Sequence, residues 1–269
     1  MAIKTIETEQ FPVLSYSIAG TGPAVVLIHG FPENGGLWRE VWPTLADNFT
    51  VIVPDLPGAG GSKLPETPLT IEDLAHAVKL ICENENVERV VMVGHSMGGY
   101  TALAFAEKYP SSVKGLSLVH STATADTDEK KETRRKAIGV IEKGGKDAFV
   151  RQMIPGLFSE RYKKEHPEMI KEQAERGLQI AAESLVAFYN AMIIRPDRTD
   201  TLRNAAFPVQ WIIGKEDTVA PMSVVMQQTQ LANVNFVSVY EESAHMSMLE
   251  EPIHLVKDLA DFASYCKAK

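Results

Sequence analysis

Six short runs rich in β-branched and apolar residues recur along the chain, at residues 25–29, 51–54, 90–94, 116–120, 209–214 and 235–240. Each is too short for a helix, and the first five are apolar without interruption. Strands apolar on both faces must be covered on both, which predicts the interior of a parallel sheet flanked by helices. Residues 11–19 alternate more and run into Gly20-Thr21-Gly22-Pro23, so they predict an antiparallel edge strand closed by a turn. The expected class is α/β, with a mostly parallel central sheet.

The strand rhythm stops after residue 121 and resumes near residue 207. Charged helical segments are expected between, at residues 126–142, 146–154, 161–176 and 178–194, the last with an apolar stripe of Leu178, Ala182, Leu185, Tyr189 and Met192. The chain therefore divides into a core of residues 1–121 and 207–269 and a helical insertion of residues 122–206. A closing helix should begin at Pro252, with Ile253, Val256, Leu259, Ala260 and Ala263 forming its apolar face.

Composition narrows the function classes. The 269 residues carry 27 Lys+Arg against 35 Asp+Glu, a net charge of −8, which argues against the cationic face that nucleic acid requires. Cys82 and Cys266 stand far apart, outside any zinc or disulfide spacing, and fit a reducing cytoplasm. The first residues carry Lys4 and Glu7 where a signal peptide would be apolar, and no run approaches the ~20 apolar residues that span a bilayer. A soluble protein without a membrane partner is expected. No phosphate-loop or H-E-x-x-H spacing occurs, so neither cofactor nor metal is expected.

The strongest chemical signal is Gly94-His95-Ser96-Met97-Gly98-Gly99, directly after one strand and before an apolar helix ended by Pro110. A sharp strand-to-helix turn there would expose Ser96 at a helix N-terminus, where backbone N–H groups favour a developing negative charge. A serine needs a base, and seven histidines compete for that part. His76, His254, His166 and His95 read as structural or surface residues, and His29 and His120 end strands, where packed, hydrogen-bonded histidines are common.

With this setting the chain resembles the α/β-hydrolase superfamily from about residue 11 to its C-terminus, and it looks closest to small capped esterases and enol-lactonases. His29-Gly30-Phe31-Pro32 is similar to that family's oxyanion loop and Asp55-Leu56-Pro57-Gly58-Ala59-Gly60-Gly61-Ser62 to its structural turn, with Asp55 bracing it. The resemblance implies that the backbone N–H groups of Phe31 and Met97 form the oxyanion hole. It implies that His245, between Glu241-Glu242-Ser243-Ala244 and Met246-Ser247-Met248, is the base, although many relatives have glycine where Ala244 stands. It implies that Asp217, in Gly214-Lys215-Glu216-Asp217, is the acid, with Glu216 as its nearest competitor. The insertion sits where the family carries a cap, and Phe149, Met153, Phe158, Phe188, Tyr189 and Met192 could line a pocket over Ser96. The mixed-charge run from Lys130 to Lys136 is expected to be a solvated face.

The expected activity is two-step hydrolysis of a small to medium ester or lactone through an acyl-enzyme on Ser96. Relatives with similar triads also cleave thioesters or C–C bonds or form peracids, as perhydrolases and haloperoxidases do, and some members of the fold are receptors with little turnover. Epoxide hydrolases and dehalogenases share the loop but place aspartate where this chain has Ser96.

Overall fold

The structure, a computed structural model, describes residues 1–267. Its strands are β1 Ala2–Ile6, β2 Leu14–Ala19, β3 Ala24–Ile28, β4 Thr50–Pro54, β5 Val90–His95, β6 Val113–Val119, β7 Val209–Gly214 and β8 Asn235–Tyr240. They form one sheet in the order β1-β2-β4-β3-β5-β6-β7-β8. All neighbours from β4 to β8 are parallel, and β2 is antiparallel to both β1 and β4. The uninterrupted apolar runs explain the arrangement, since every residue of β3, β5 and β7 is buried.

Residues 11–19 run in the expected direction but do not form the edge. β1 lies outside β2, in register from Ala2 opposite Ile18 to Ile6 opposite Leu14. Four of its five residues are exposed, so it carries no hydrophobic pattern that sequence reading could detect. Its Lys4 is held instead by an ion pair to Glu85 at 2.8 Å.

Two helices position the centre of the sheet. Ile71–Asn84 starts at a reciprocal cap, in which Thr70 Oγ1 accepts from the Asp73 N–H and Asp73 accepts from the Thr70 N–H. Met97–Lys108 is buried continuously from Met97 to Ala106 and ends ahead of Pro110. At the C-terminus the helix Pro252–Lys267 begins where expected, but its apolar face is Leu255, Leu259, Phe262, Ala263 and Cys266. Ile253 is 87% exposed. Two neighbouring stripes fit the helical period, and Phe262 and Cys266 lie against Gly115 of β6, where the missing side chain leaves room.

The insertion between β6 and β7 contains helices Asp128–Val140, Lys146–Met153, Glu160–Glu165, Pro167–Leu178, Ala182–Ile194 and Thr199–Arg203. The segment expected at residues 161–176 is two helices, because Pro167 lacks the N–H that would continue the first and instead opens the second. Leu178 ends that second helix, so the stripe expected from Leu178 onward begins only at Ala182, with Leu185, Tyr189 and Met192 buried. Among the described residues no single helix is long and apolar enough to cross a membrane.

Candidate active site

Ser96 is the one residue between β5 and the helix Met97–Lys108, and its backbone sits at φ 51°, ψ −114°. A left-handed φ costs a non-glycine residue about 1–3 kcal/mol, so surrounding contacts must hold it. Glycine makes the turn possible. A Cβ on Gly94 would collide with the carbonyl of Gly98, and one on Gly98 would lie 2.6 Å from the His29 carbonyl. The helix start can therefore approach β3 and β5 only with hydrogen at both positions. The Ser96 N–H donates to Val119 O at 3.0 Å, and the Ser121 hydroxyl donates to Ser96 O at 2.8 Å.

The loop after β3 packs directly on this corner, since a Cβ on Gly30 would stand 3.1 Å from Ser96 Cβ. His29 fixes the loop: its Nδ1–H donates to Gly30 O at 2.8 Å, and its Nε2 accepts from the Leu56 N–H at 3.0 Å. Asp55 braces the neighbouring turn, accepting from the N–H groups of Gly35 and Gly61, both at 2.8 Å. Phe31 and Met97, the two candidate oxyanion donors, lie on this loop and at the first position of the helix that follows Ser96.

Asp217 lies in the loop after β7 and His245 in the loop after β8, both buried. His245 Nδ1 is 2.7 Å from Asp217 Oδ2, while Asp217 Oδ1 accepts from the N–H groups of Val219 at 2.8 Å and Ala220 at 2.9 Å. Burial works against the ionised carboxylate, yet the facing His245 and His120 outweigh it and hold Asp217 well below the usual carboxylate range. Glu216 is exposed, its side chain away from this contact. The histidine loop is clamped from two sides: the His245 N–H donates to Leu157 O of the insertion at 2.9 Å, and His95 Nε2–H donates to His245 O at 2.9 Å.

Two further residues belong here: His120, packed and hydrogen-bonded as expected of a strand-end histidine but set beside the acid, and one that sequence reading did not name. His120 directly follows β6 at φ 50°, with Nδ1 3.3 Å from the same Asp217 oxygen, too poorly aligned for a full hydrogen bond, and Nε2 2.7 Å from Ser247 Oγ. Burial lowers its pKa, against the opposing pull of Asp217. The nitrogens of His120 and His245 and the Asp217 oxygen lie within 4.8 Å of one another, a donor set with the chemistry of a metal site; in this structure His245 is hydrogen-bonded to Asp217 and His120 to Ser247.

The second is Glu250. Its Oε2 accepts from Ser243 Oγ at 3.0 Å and from the N–H groups of Ala244 at 2.9 Å and Met246 at 3.2 Å, and its Oε1 accepts from the Ser159 N–H at 2.8 Å. One carboxylate thus joins both flanks of His245 to the insertion. Glu250→Ala strands several buried donors, and we expect a loss of about 2–4 kcal/mol in denaturant unfolding. Turnover should fall through kcat more than through KM. Glu250→Gln, which keeps one acceptor oxygen, should fall between; a variant as stable and active as wild type would remove the bracing role.

The remaining histidines have structural partners. His76 meets the Tyr109 hydroxyl at 3.1 Å, His254 stacks on Tyr240 and His166 packs on Tyr162. Of the six candidate pocket residues, two lie against Phe31 in the loop after β3 and two more pack on one of these. Tyr189 lies 4.4 Å from the Phe31 ring and Phe188 6.4 Å, while Phe149 and Met153 contact Tyr189. Phe158 stacks instead on Tyr162, and Met192 is buried with its carbonyl bound to Arg195. A cavity of about 920 Å³ lies between residues 64–70 and the insertion and includes none of the candidate residues. Ser96 itself is half-buried.

Glu33, two residues beyond Phe31, is buried with Oε1 unpartnered. Burial pushes its carboxyl up to about 8, against the opposing pull of Arg176 and Arg39. An unfolded glutamate titrates near ~4.3, so between that pH and about 8 the folded chain holds a proton that the unfolded chain has released. Stability from this group therefore falls as pH rises through that window. Glu33→Gln should lose this slope, and its Tm relative to wild type should climb between pH 5 and pH 8 by the equivalent of a few kcal/mol, on the order that such a shift carries. Parallel Tm curves for the two proteins would show that Glu33 is ionised throughout.

A family model described as alpha/beta hydrolase fold matches residues 23–141. A thermophilic esterase from Thermogutta terrifontis is 30% identical and superposes with a TM-score of 0.93, over 99% of this chain and 100% of that one. The pimeloyl-[acyl-carrier protein] methyl ester esterase of Pseudoalteromonas atlantica is 26% identical over 256 residues, 90% of this chain and 95% of that protein. An uncharacterized protein of Mycobacterium tuberculosis is 42% identical over 105 residues, which are 39% of this chain and 31% of that protein. The chain thus spans only about a third of the length of that curated relative.

Proposed function

Because the chain belongs to the α/β-hydrolase fold family, we propose that it is a serine hydrolase cleaving a small to medium carboxylic ester or lactone, with Ser96 as nucleophile, His245 as base and Asp217 as the acid behind it. The observation that carries this reading is the 2.7 Å contact from Asp217 to His245, in the same structure as a serine held at positive φ on a helix N-terminus. Two of the relatives compared above are esterases by name, one of them matching nearly the whole chain. Ser96 Oγ attacks the carbonyl carbon and its proton passes to His245 Nε2. The N–H groups of Phe31 and Met97 receive the charge that develops on the carbonyl oxygen. His245 returns the proton to the leaving alcohol, then takes one from water as that water attacks the acyl-enzyme.

Residues 122–206 act as the cap in this reading. Two contacts support that role: Leu157 holds the His245 backbone, and Tyr189 lies on Phe31. The partner is a small molecule, and a cytoplasmic enzyme fits two buried cysteines. Labelling with a fluorophosphonate and mapping the adduct tests nucleophile activation, and aryl esters of graded acyl length test the reaction. An adduct on Ser96 with turnover of at least one ester is expected. No adduct and no turnover across esters and lactones, with a ligand still bound, would make the chain a receptor.

A further inference from the structure

The charged run from Lys130 to Lys136 does not form the uniformly solvated face expected of it. Glu132, Thr133, Arg135 and Lys136 are exposed, but the side chain of Arg134 is only 12% accessible. It turns inward, where its Nε donates to Asp126 Oδ2 at 2.6 Å. Asp126 also pairs with Arg195 at 2.9 Å, and the accessibilities of Asp126 and Arg195 are 1% and 3%. Two guanidinium groups therefore share one carboxylate, and this buried cluster carries an uncompensated positive charge.

The two arginines are not equivalent. Arg195 spends its amino groups on the carbonyls of Met192 at 3.1 Å and Thr124 at 2.9 Å, and its plane lies 3.7 Å over the Tyr100 ring. Among the described residues the only hydrogen bond and ion pair of Arg134 run through Nε, which leaves both of its amino groups without a partner. They stay partly open to solvent.

Their surroundings place them over the site. Arg134 lies 5.5 Å from the Tyr189 ring, and Tyr189 lies 4.4 Å from Phe31 of the oxyanion loop. Tyr100, in the first turn of the helix that Ser96 opens, also interacts electrostatically with Arg134, and its N–H reaches back to Ser96 O. A guanidinium that shares its one carboxylate with a second arginine and keeps two amino groups unbonded, in a mostly buried, aromatic-walled place, is costly unless an anion completes it. The planar edge of two free amino groups fits a carboxylate in bidentate fashion.

Resting on the serine-hydrolase reading above, we infer that Arg134 binds a carboxylate carried by the substrate away from the scissile carbonyl, so that the preferred ester or lactone is an anionic one. Asp126 orients the guanidinium from behind, and Arg195 holds Asp126 in place. The bond cleaved and the path of the proton are unchanged; Arg134 sets which acyl or alcohol group is held over Ser96.

Two matched pairs of substrates test this and locate the anion. p-Nitrophenyl hemiglutarate against p-nitrophenyl hexanoate puts the charge on the acyl side, and 4-(butyryloxy)benzoate against phenyl butyrate puts it on the leaving group. In Arg134→Gln the anionic-to-neutral ratio of kcat/KM should fall about 10- to 100-fold for at least one pair, the range of a charge-assisted hydrogen-bonded pair. Arg134→Lys, which keeps the charge but loses the fork and is gentler on the Asp126 cluster, should give an intermediate ratio. A ratio unchanged in both pairs, in variants whose Tm shows them folded, overturns the inference. Binding of glutarate and 4-hydroxybenzoate to Ser96→Ala protein separates this site from the reaction. Carboxylate binding that depends on Arg134, in a wild-type chain that turns over none of the four esters, would sink the serine-hydrolase reading and leave the anion site standing.

Discussion

Ser96→Ala lowers ester turnover by about 10³-fold or more and leaves the fold intact: this is the result we expect from removing the hydroxyl at the corner between β5 and its helix. The contacts that hold the corner do not use the side chain. The Ser96 N–H is bound to Val119, its carbonyl is bound by Ser121, and its hydroxyl caps no helix N–H. Alanine meets the same φ of 51° with the same Cβ, so stability should change by less than about 1 kcal/mol. Phe31 and Met97 still offer their N–H groups, so substrate or product should still bind. Hydrolysis, thermal unfolding and ligand binding measured on one preparation decide the matter. Undiminished hydrolysis by a folded variant would exclude Ser96 as the nucleophile.

The parts of the fold legible in sequence are those whose burial is two-sided. β3 to β7 had to be covered above and below, and the uninterrupted apolar runs announced it. β1 was invisible because its residues face solvent on both sides, and only its pairing with β2 makes it a strand. The C-terminal helix was found through Pro252, but its buried face was misjudged by part of a turn. A period fixes the width of a stripe, whereas the partner, here Gly115 of β6, fixes which stripe is chosen.

The site divides in a similar way. Gly94, Ser96 and Gly98 were legible because a tight turn demands small residues at fixed spacing. Asp217 and His245 were reached through family resemblance, and their 2.7 Å contact joins loops 28 residues apart. His120 and Glu250 carry no such signal. A histidine ending a strand and a glutamate before a helix are ordinary, and their meaning comes from Asp217, Ser243, Ala244 and Met246 being folded against them. Arg134 was masked by the company of Lys130, Lys131, Arg135 and Lys136. Only the side of the helix it occupies separates it from them.

Asp217→Asn should be nearly as damaging as loss of the serine, with kcat down by about 10³- to 10⁴-fold in a folded protein. The reason lies in which oxygen must remain an oxygen. Two backbone N–H groups, of Val219 and Ala220, point at Oδ1, so the carbonyl of an asparagine is compelled to sit there and its NH₂ takes the place of Oδ2. That NH₂ faces His245 Nδ1, which can then only accept. Its proton moves to Nε2, the nitrogen that should receive the proton of Ser96, and the base is lost without any displacement of the ring. The imidazolium formed during attack also loses its counter-charge. Glu216→Gln, at the exposed neighbour, should stay within about 2-fold of wild type, as surface changes away from a site do. Measuring kcat and thermal unfolding for both variants separates the two acids: a silent Asp217→Asn beside a damaging Glu216→Gln would transfer the acid's role to Glu216.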